Sequence, residues 1–284
     1  MQYRLIALDL DGTLLTSRKV VSPRTREALR AARARGIVTA VATGRAPDSA
    51  RQFSRLIGGG PIICCNGAGV LDEAGEFLLA RGIPGEPLIR SLAICREAGL
   101  LTECYTDRSI VLDQPWAHMK AFMNWMRPKV SLGRSLTSLF GTWRSNRMIA
   151  VRDLRRWAEK AHRPPVLKVM ILGKGPELPE VVQRLHREVP GVEISSSGDD
   201  NLELTAAGIS KGSGLQILGA HLQIPREAMM AFGDSDNDLE MLRYAGCGVA
   251  MGNATERVRT AADRVTGSCD EDGIARAIEE LCLG

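Results

Sequence analysis

The stretch Leu5-Ile6-Ala7-Leu8-Asp9-Leu10-Asp11-Gly12-Thr13 limits the fold of this chain more than any other. Four consecutive apolar residues without alternation predict a strand covered on both faces, as in the middle of a parallel sheet. Gly12 stops the run, and two carboxylates one residue apart sit where the strand ends. A carboxylate is costly to bury without a partner, so Asp9 and Asp11 must face water, a cation or a reacting group. The carboxyl ends of strands are also where an open α/β sheet binds its ligands. The two acids therefore mark one edge of a sheet as the place for chemistry.

The same pattern recurs along the chain. Ser22-Pro23 predicts a helix running to Arg35, with Ser22 as its cap, Pro23 as its first helical residue and Gly36 as its stop. Ile37 to Ala42 reads as a second buried strand ending at Thr43-Gly44-Arg45. A helix follows from Pro47 to Leu56, then a strand from Ile62 to Cys65 ending at Asn66-Gly67. From about Ala206 the style resumes: a helix after Lys211-Gly212, a strand from Met229 to Phe232 ending at Gly233-Asp234-Ser235-Asp236-Asn237-Asp238, a helix from Leu239 to Ala245, and a strand from Gly248 to Met251.

Between Pro84 and about Glu203 Pro and Gly punctuate more often, and all four tryptophans occur there (Trp116, Trp125, Trp143, Trp157), where they read as domain core in preference to a stacking platform. The expected fold is α/β: a doubly wound parallel-sheet (Rossmann-like) core, residues 1–83 and 206–284, interrupted by an inserted α+β domain, residues 84–205.

A length of 284 residues suits two domains. No apolar run approaches the roughly 18–20 residues that span a bilayer. The N-terminal run is short and ends in acids, so no signal peptide is expected. Seven cysteines without a Cys-x-x-Cys, and four histidines (His118, His162, His186, His221) without metal spacing, predict a reduced, cytoplasmic protein. Adjacent Cys64 and Cys65 read as small buried residues.

Charge alone suggests a nucleic-acid partner, but at +4 it is modest, and none is expected. Much of the positive charge is local: Arg127 to Arg163 holds ten Lys/Arg against two acids. That segment is either a solvated face or a set of arginines, Arg144, Arg147, Arg155 and Arg156 among them, that selects substrates with a second anionic group.

In a parallel sheet the strand ends share one edge, so acids distant in sequence become neighbours. Asp9, Asp234 and Asp238 would crowd negative charge, at a cost of several kcal/mol for like charges about 4 Å apart, and a cation is required. Carboxylates without His or Cys select a hard ion, with Mg²⁺ the natural candidate. The Thr43 hydroxyl, the Gly44 backbone amide and Lys211 are donors suited to a tetrahedral dianion, and Asn237 completes the phosphate-binding set. A phosphoryl group held there would meet Asp9 as nucleophile. Asp11 would protonate the leaving oxygen and then activate water.

Asp238 reads as a holder of Lys211 or of its own loop rather than a metal ligand. Arg45 reads equally as a phosphate contact, a cap or a structural ion pair. Asn66 either lines the site or forms the turn before Gly67. Asp236 reads as a solvated loop acid. Lys211-Gly212-Ser213-Gly214 lacks the third glycine of a dinucleotide fingerprint, with Ile217 in its place, and no P-loop motif occurs.

At these residues the chain resembles, over essentially its whole length, the haloacid dehalogenase-like hydrolase superfamily, and within it the Cof-type sugar phosphatases. "DLDGTLL" matches the first motif, Thr43 in "TGR" the second, Lys211 in "ISKGSGL" the third, and Asp234 and Asp238 in "GDSDNDLEM" the fourth. "NGA" at Asn66, "AMGNA" at Ala250 to Ala254 and "EDGIARAI" at Glu271 to Ile278 also fit. The resemblance implies Mg²⁺ held by the side chains of Asp9 and Asp234 and the backbone carbonyl of Asp11. It also implies that the inserted domain is a mobile cap.

The implied activity is hydrolysis of a small-molecule phosphate monoester, a sugar phosphate or a phosphorylated cofactor. Two alternatives stand beside it. One is a phosphotransferase or mutase, which product analysis with an added acceptor sugar separates. The other is a non-catalytic sensor of a phosphorylated ligand, against which the intact Asp9/Asp11 pair argues. Neither the particular ester nor the oligomeric state follows from the sequence.

Overall fold

The computed structural model describes residues 3–126, 147–173, 177–196 and 201–284. The chain divides into two compact units: Met1–Ala80 with Gly208–Gly284, and Arg81–Ala207. These joints lie three residues before and two residues after the places where the turn chemistry changes.

The chain enters the first unit through β1 (Leu5–Leu8), α1 (Pro23–Ala34), β2 (Val38–Ala42), α2 (Pro47–Leu56), β3 (Ile62–Cys64), β4 (Gly69–Leu71) and β5 (Phe77–Ala80). The second unit holds α3 (Gly85–Glu97), β6 (Leu101–Thr106), β7 (Ile110–Leu112), α4 (Pro115–Met126), β8 (Met148–Ala150), α5 (Leu154–Ala158), β9 (Val166–Leu172), α6 (Glu177–Glu188), β10 (Val192–Ser195) and β11 (Asn201–Ala206). The return adds α7 (Lys211–Leu222), β12 (Met229–Gly233), α8 (Leu239–Tyr244), β13 (Cys247–Ala250), α9 (Glu256–Ala261), β14 (Arg264–Val265) and α10 (Gly273–Ile278).

The first sheet runs β14-β13-β12-β1-β2-β3-β4-β5, parallel from β14 to β3 and closed by an antiparallel hairpin, β4 and β5. β1 is central, with Leu5 to Leu8 opposite Met229 to Phe232 on one side and Val38 to Val41 on the other. Its residues are fully buried and alternate between two apolar layers. Ile6 and Leu8 pack with Leu29 of α1 and Ile274 of α10. Leu5 and Ala7 pack with Leu218 of α7 and Leu242 of α8. That two-sided burial is why the strand shows no polar alternation, and each Leu or Ile removed from water contributes about 1.5–3 kcal/mol. The sheet is thus doubly wound, as the sequence predicts. The β4–β5 hairpin and the two-residue β14 are not foreseen, because elements this short carry no readable period.

α1 begins as the sequence dictates, with Ser22 Oγ accepting from the Thr25 N–H at 3.1 Å and Pro23 in the first turn, where its missing N–H costs nothing.

The second unit is built on a sheet in the order β10-β11-β9-β6-β7-β8, antiparallel except between β7 and β8. Cys104, Val169, Ile171 and Leu204 pack with Leu88 and Leu92 of α3 and Val181 and Leu185 of α6. Tyr105 and Lys168 are cross-strand neighbours, and Lys168 donates to Glu203 at 2.9 Å.

The tryptophans do not behave uniformly. Trp157 packs against the unit's core, whereas Trp116 is 80% exposed, so the core reading fails for it. An aromatic in the first turn of α4 has no neighbouring turn to cover it. The side chains of Trp125 and Trp143 lie outside the described residues, as do most of the basic segment and Arg144. Arg147, Arg155 and Arg156 are exposed, and Arg155 stands 3.3 Å from Glu159.

Candidate active site

β12, β1, β2 and β3 are adjacent, so the residues following them share one sheet edge. The backbone ties these ends together: Asp9 N donates to Phe232 O, Thr43 N to Ile63 O, and Asn66 N to Thr43 O, at 3.1, 2.8 and 3.1 Å. The Thr43 side chain is buried, and its hydroxyl accepts from the Arg45 N–H.

Lys211 opens α7 behind a capping box made by Ser210 and Ser213. Its side chain is 1% exposed, and Nζ donates to Asp9 Oδ1 at 2.6 Å and to Asp238 Oδ1 at 2.7 Å. The other oxygen of Asp238 accepts from the Asp234 and Ser235 N–H groups, both at 3.0 Å. Asp238 therefore has both oxygens committed, one to Lys211 and one to its own loop. Close approach of α7 explains the glycines that imitate a dinucleotide motif. A Cβ on Gly214 would lie 2.7 Å from Ile63 Cγ2, so a larger residue would push the lysine's helix off β3.

Asp234 accepts from Thr13 Oγ1 at 2.7 Å and from Ser235 Oγ at 3.3 Å. Asp9, Asp234 and Asp238 each offer a carboxylate oxygen within a 4.8 Å cluster. Burial pushes the Asp9 carboxyl well above its ordinary range; Lys211 pulls it down, and the charges of Asp238 and Asp234 push it up again. Burial likewise raises Asp234 to about 6, opposed by the Thr13 hydrogen bond and reinforced by Asp238. Lys211 is raised despite its burial, because Asp238 and Asp9 both stabilise its charge. One lysine against three carboxylates leaves an excess of negative charge. An all-oxygen donor set of this kind fits a hard divalent cation.

Asp11 is placed differently. It is partly exposed, and Arg45 grips it with two parallel bonds, Nε to Oδ2 and Nη2 to Oδ1, each 2.7 Å. Lys19 adds a third donor at 2.8 Å. Burial would raise this carboxyl, but the two cations outweigh it and hold it down at about 2. The Arg45 guanidinium also lies 4.6 Å from the Phe53 ring centroid. Arg45 is thus an ion-pair partner of Asp11.

Asn66 sits in left-handed backbone (φ 57°), as a turn former would, and its Oδ1 accepts from Asn237 Nδ2 at 3.4 Å. The Asn237 amide nitrogen is thereby directed at Asn66, while its Oδ1 is buried without a hydrogen-bond partner among the described residues. Asp236 is exposed and pairs with Arg257. Gly44 lies between Thr43 and Arg45 at the same edge.

Two residues escape the sequence reading. Lys19 reaches Asp11 because the turn from Thr16 to Val20 folds back on itself, and nothing in its local sequence signals this. Asn253 donates to the Gly12 carbonyl at 2.8 Å; the quoted "AMGNA" was its only signal.

A family model for haloacid dehalogenase-like hydrolases matches residues 6–278. The chain is 31% identical over 287 residues to a 5-amino-6-(5-phospho-D-ribitylamino)uracil phosphatase, YitU, of Bacillus subtilis, covering 97% of this chain and 96% of that one. It is also 31% identical over 281 residues to the pyridoxal phosphate phosphatase YbhA of Escherichia coli, covering 98% of each. Among solved structures, a haloacid dehalogenase-like hydrolase from Bacillus subtilis superposes with a TM-score of 0.85 at 30% identity, covering 98% of this chain and 99% of that one. Among the described residues no helix is long and apolar enough to cross a membrane.

Proposed function

Because the chain belongs to the haloacid dehalogenase-like hydrolases and is a phosphatase-type enzyme, we propose that it is a Mg²⁺-dependent phosphatase of small phosphorylated metabolites that works through an aspartyl-phosphate on Asp9. The observation that carries this reading is the buried Lys211, bonded to both Asp9 and Asp238 beside Asp234. It gives a carboxylate held for attack, a cation beside it, and a negative excess that accepts a divalent ion. Mg²⁺ would be held by Asp9, Asp234 and the Asp11 backbone carbonyl, and when bound it would neutralise charge on the phosphoryl oxygens.

Thr43, Gly44, Lys211 and Asn237 orient those oxygens. An Asp9 oxygen attacks phosphorus, the bond to the ester oxygen breaks, and that oxygen leaves with the electron pair and a proton from Asp11. Asp11 then takes a proton from water, whose oxygen attacks the aspartyl-phosphate. Inorganic phosphate leaves and the Asp9 carboxylate is restored. As held by Arg45 and Lys19, Asp11 is ionised and suited to the second half. For the first half the two cations must release it, and an incoming phosphate dianion is the group that draws them away.

The substrate class drawn from these relatives is phosphorylated cofactors and their precursors, with sugar phosphates retained from the resemblance read in the sequence. A reduced, cytoplasmic setting belongs to the same reading and rests on the scattered cysteines. The test is phosphate release from a panel of such monoesters, with and without an acceptor sugar, for the wild type and Asp9→Asn. We expect Mg²⁺-dependent release without acceptor and none from Asp9→Asn, whose amide has nearly the same shape but is a poor nucleophile. Near-normal release from that variant would end the covalent mechanism, and release only with acceptor would make the enzyme a phosphotransferase.

A further inference from the structure

The residues from Met251 to Thr255, immediately after β13, belong to a quoted motif to which the chemistry above gives no task. β13 is not next to β1, since β12 lies between them. The segment nevertheless reaches the nucleophile loop. Asn253 Nδ2 donates to the Gly12 carbonyl at 2.8 Å, and Asn253 Oδ1 accepts from the Cys269 N–H at 2.9 Å. On the way, the Thr255 N–H donates to the Asp234 carbonyl at 3.3 Å. One exposed side chain thus joins three loops, with both ends of its amide engaged.

Gly12 is where such a clamp has most effect. Its φ is +87°, and a Cβ there would lie 2.4 Å from Asp234 Oδ2, so the loop can pass beneath the Asp234 carboxylate only as glycine. A glycine at positive φ is also the most freely rotating joint in the loop. On one side of it is the Asp11 carbonyl, and on the other is Thr13, whose hydroxyl bonds Asp234. Fixing the Gly12 carbonyl fixes the plane of the Gly12–Thr13 peptide, leaving the Asp11 carbonyl one residue's rotation from a fixed frame.

We propose that Asn253 is a positioning residue: by holding the Gly12 carbonyl it sets the orientation of the Asp9–Thr13 loop in which the nucleophile, the proton carrier and the Asp11 carbonyl all lie. The inference rests on the proposed phosphatase activity for its kinetic consequence and on geometry alone for its structural one, so two readouts are needed. Asn253→Ala removes both amide contacts. Asn253→Asp keeps an acceptor for the Cys269 N–H but has no donor for Gly12.

Both variants should lose about tenfold to a hundredfold in kcat, with KM changed less than about threefold, the size expected when a supporting contact to a reactive group is removed. Both should also speed backbone amide exchange in the segment Leu10 to Leu15, while exchange in the buried strand β12 stays as in the wild type. The result that overturns the proposal is an Asn253→Asp that matches the wild type in kcat and in exchange, since the Gly12 bond would then be idle. Exchange that rises across the whole first unit would also overturn it, by making Asn253 a general stabiliser. If the wild type releases no phosphate from any ester, the phosphatase reading fails, and loop exchange still decides whether Asn253 holds Gly12.

Discussion

Among the described residues, each of the two units buries one lysine almost completely, and the two stand in different surroundings. Lys211 in the first unit donates to two carboxylates, Asp9 and Asp238, with Asp234 in the same cluster. Lys168 in the second unit donates to Glu203 and stands 4.7 Å from the Tyr105 ring centroid. Both lysines are 1% exposed, so burial does not distinguish them. What differs is the set of acids around each. Lys168 is bonded to Glu203 and its charge also reaches the buried Glu103, whereas Lys211 stands among three acids whose oxygens lie within 4.8 Å of one another, a set that fits a further cation. The cluster of acids, not burial, sets Lys211 apart.

Removing each lysine breaks this comparison most directly. Lys211→Met should abolish measurable turnover, a loss of at least about a thousandfold, because the nucleophile loses its partner and two buried acids face each other uncompensated. Steady-state kinetics on a protein shown to be folded by circular dichroism checks it. Lys168→Met should instead cost about 3–5 kcal/mol of stability by taking the buried cation away from Glu203, with kcat unchanged when assayed below the transition. Urea unfolding together with kinetics measures both, and a kcat loss in the folded Lys168 variant would sink the distinction.

Asp11→Asn sharpens it within the first unit. Its loss of kcat should be larger, by about ten- to a hundredfold, on an alkyl phosphate than on a nitrophenyl phosphate, whose leaving group needs less help from an acid. Equal losses would assign Asp11 to placement alone.

The charge excess also predicts how pH and metal act together. Asp234 is raised from 3.8 to about 6, and Asp9 is raised too, so in this window the folded state holds protons that the unfolded chain has released. Stability of the metal-free protein therefore falls as pH rises from about 4 to about 6. Mg²⁺ should remove that loss, raising Tm by several degrees at pH 7.5 and by less at pH 5, as read by thermal melts with EDTA or Mg²⁺. A shift equal at both pH values would mean that the acids are not the ligands. Asp11, held at about 2, acts in the opposite sense, and its contribution is lost as pH falls through the range from 3.8 to about 2.

The smallest expected effect is in the second unit. The double variant Lys168→Met/Glu203→Leu should recover most of the single variant's stability, to within about 1–2 kcal/mol of the wild type, because well-packed apolar groups replace a buried pair at little cost. Urea midpoints check it.

How much of this was legible depends on the range of each interaction. Leu5 to Leu8, the Ser22-Pro23 helix start and the turn at Gly12 follow from neighbours a few residues away, and all stand where the sequence puts them. The acids were legible because a parallel sheet forces its strand ends onto one edge, which makes a one-dimensional motif into a cluster. The hairpin from Gly69 to Ala80 and the exposure of Trp116 were not, since a three-residue strand and a lone aromatic carry no period that could report their surroundings.

By itself, then, the sequence determined the strand–helix alternation of the first unit, the sheet edge on which Asp9, Asp234 and Asp238 meet, and the all-oxygen character of that cluster. These are consequences of local propensity and side-chain chemistry. Only the tertiary structure decided that Lys211 binds Asp9 across 202 residues, that Lys19 and Arg45 share Asp11, that Asn253 reaches Gly12 across 241 residues, and that Lys168 meets Glu203. Each of these contacts has a geometry of about 3 Å set by the packing of helices and strands far apart in the chain, and no local pattern encodes a distance between elements.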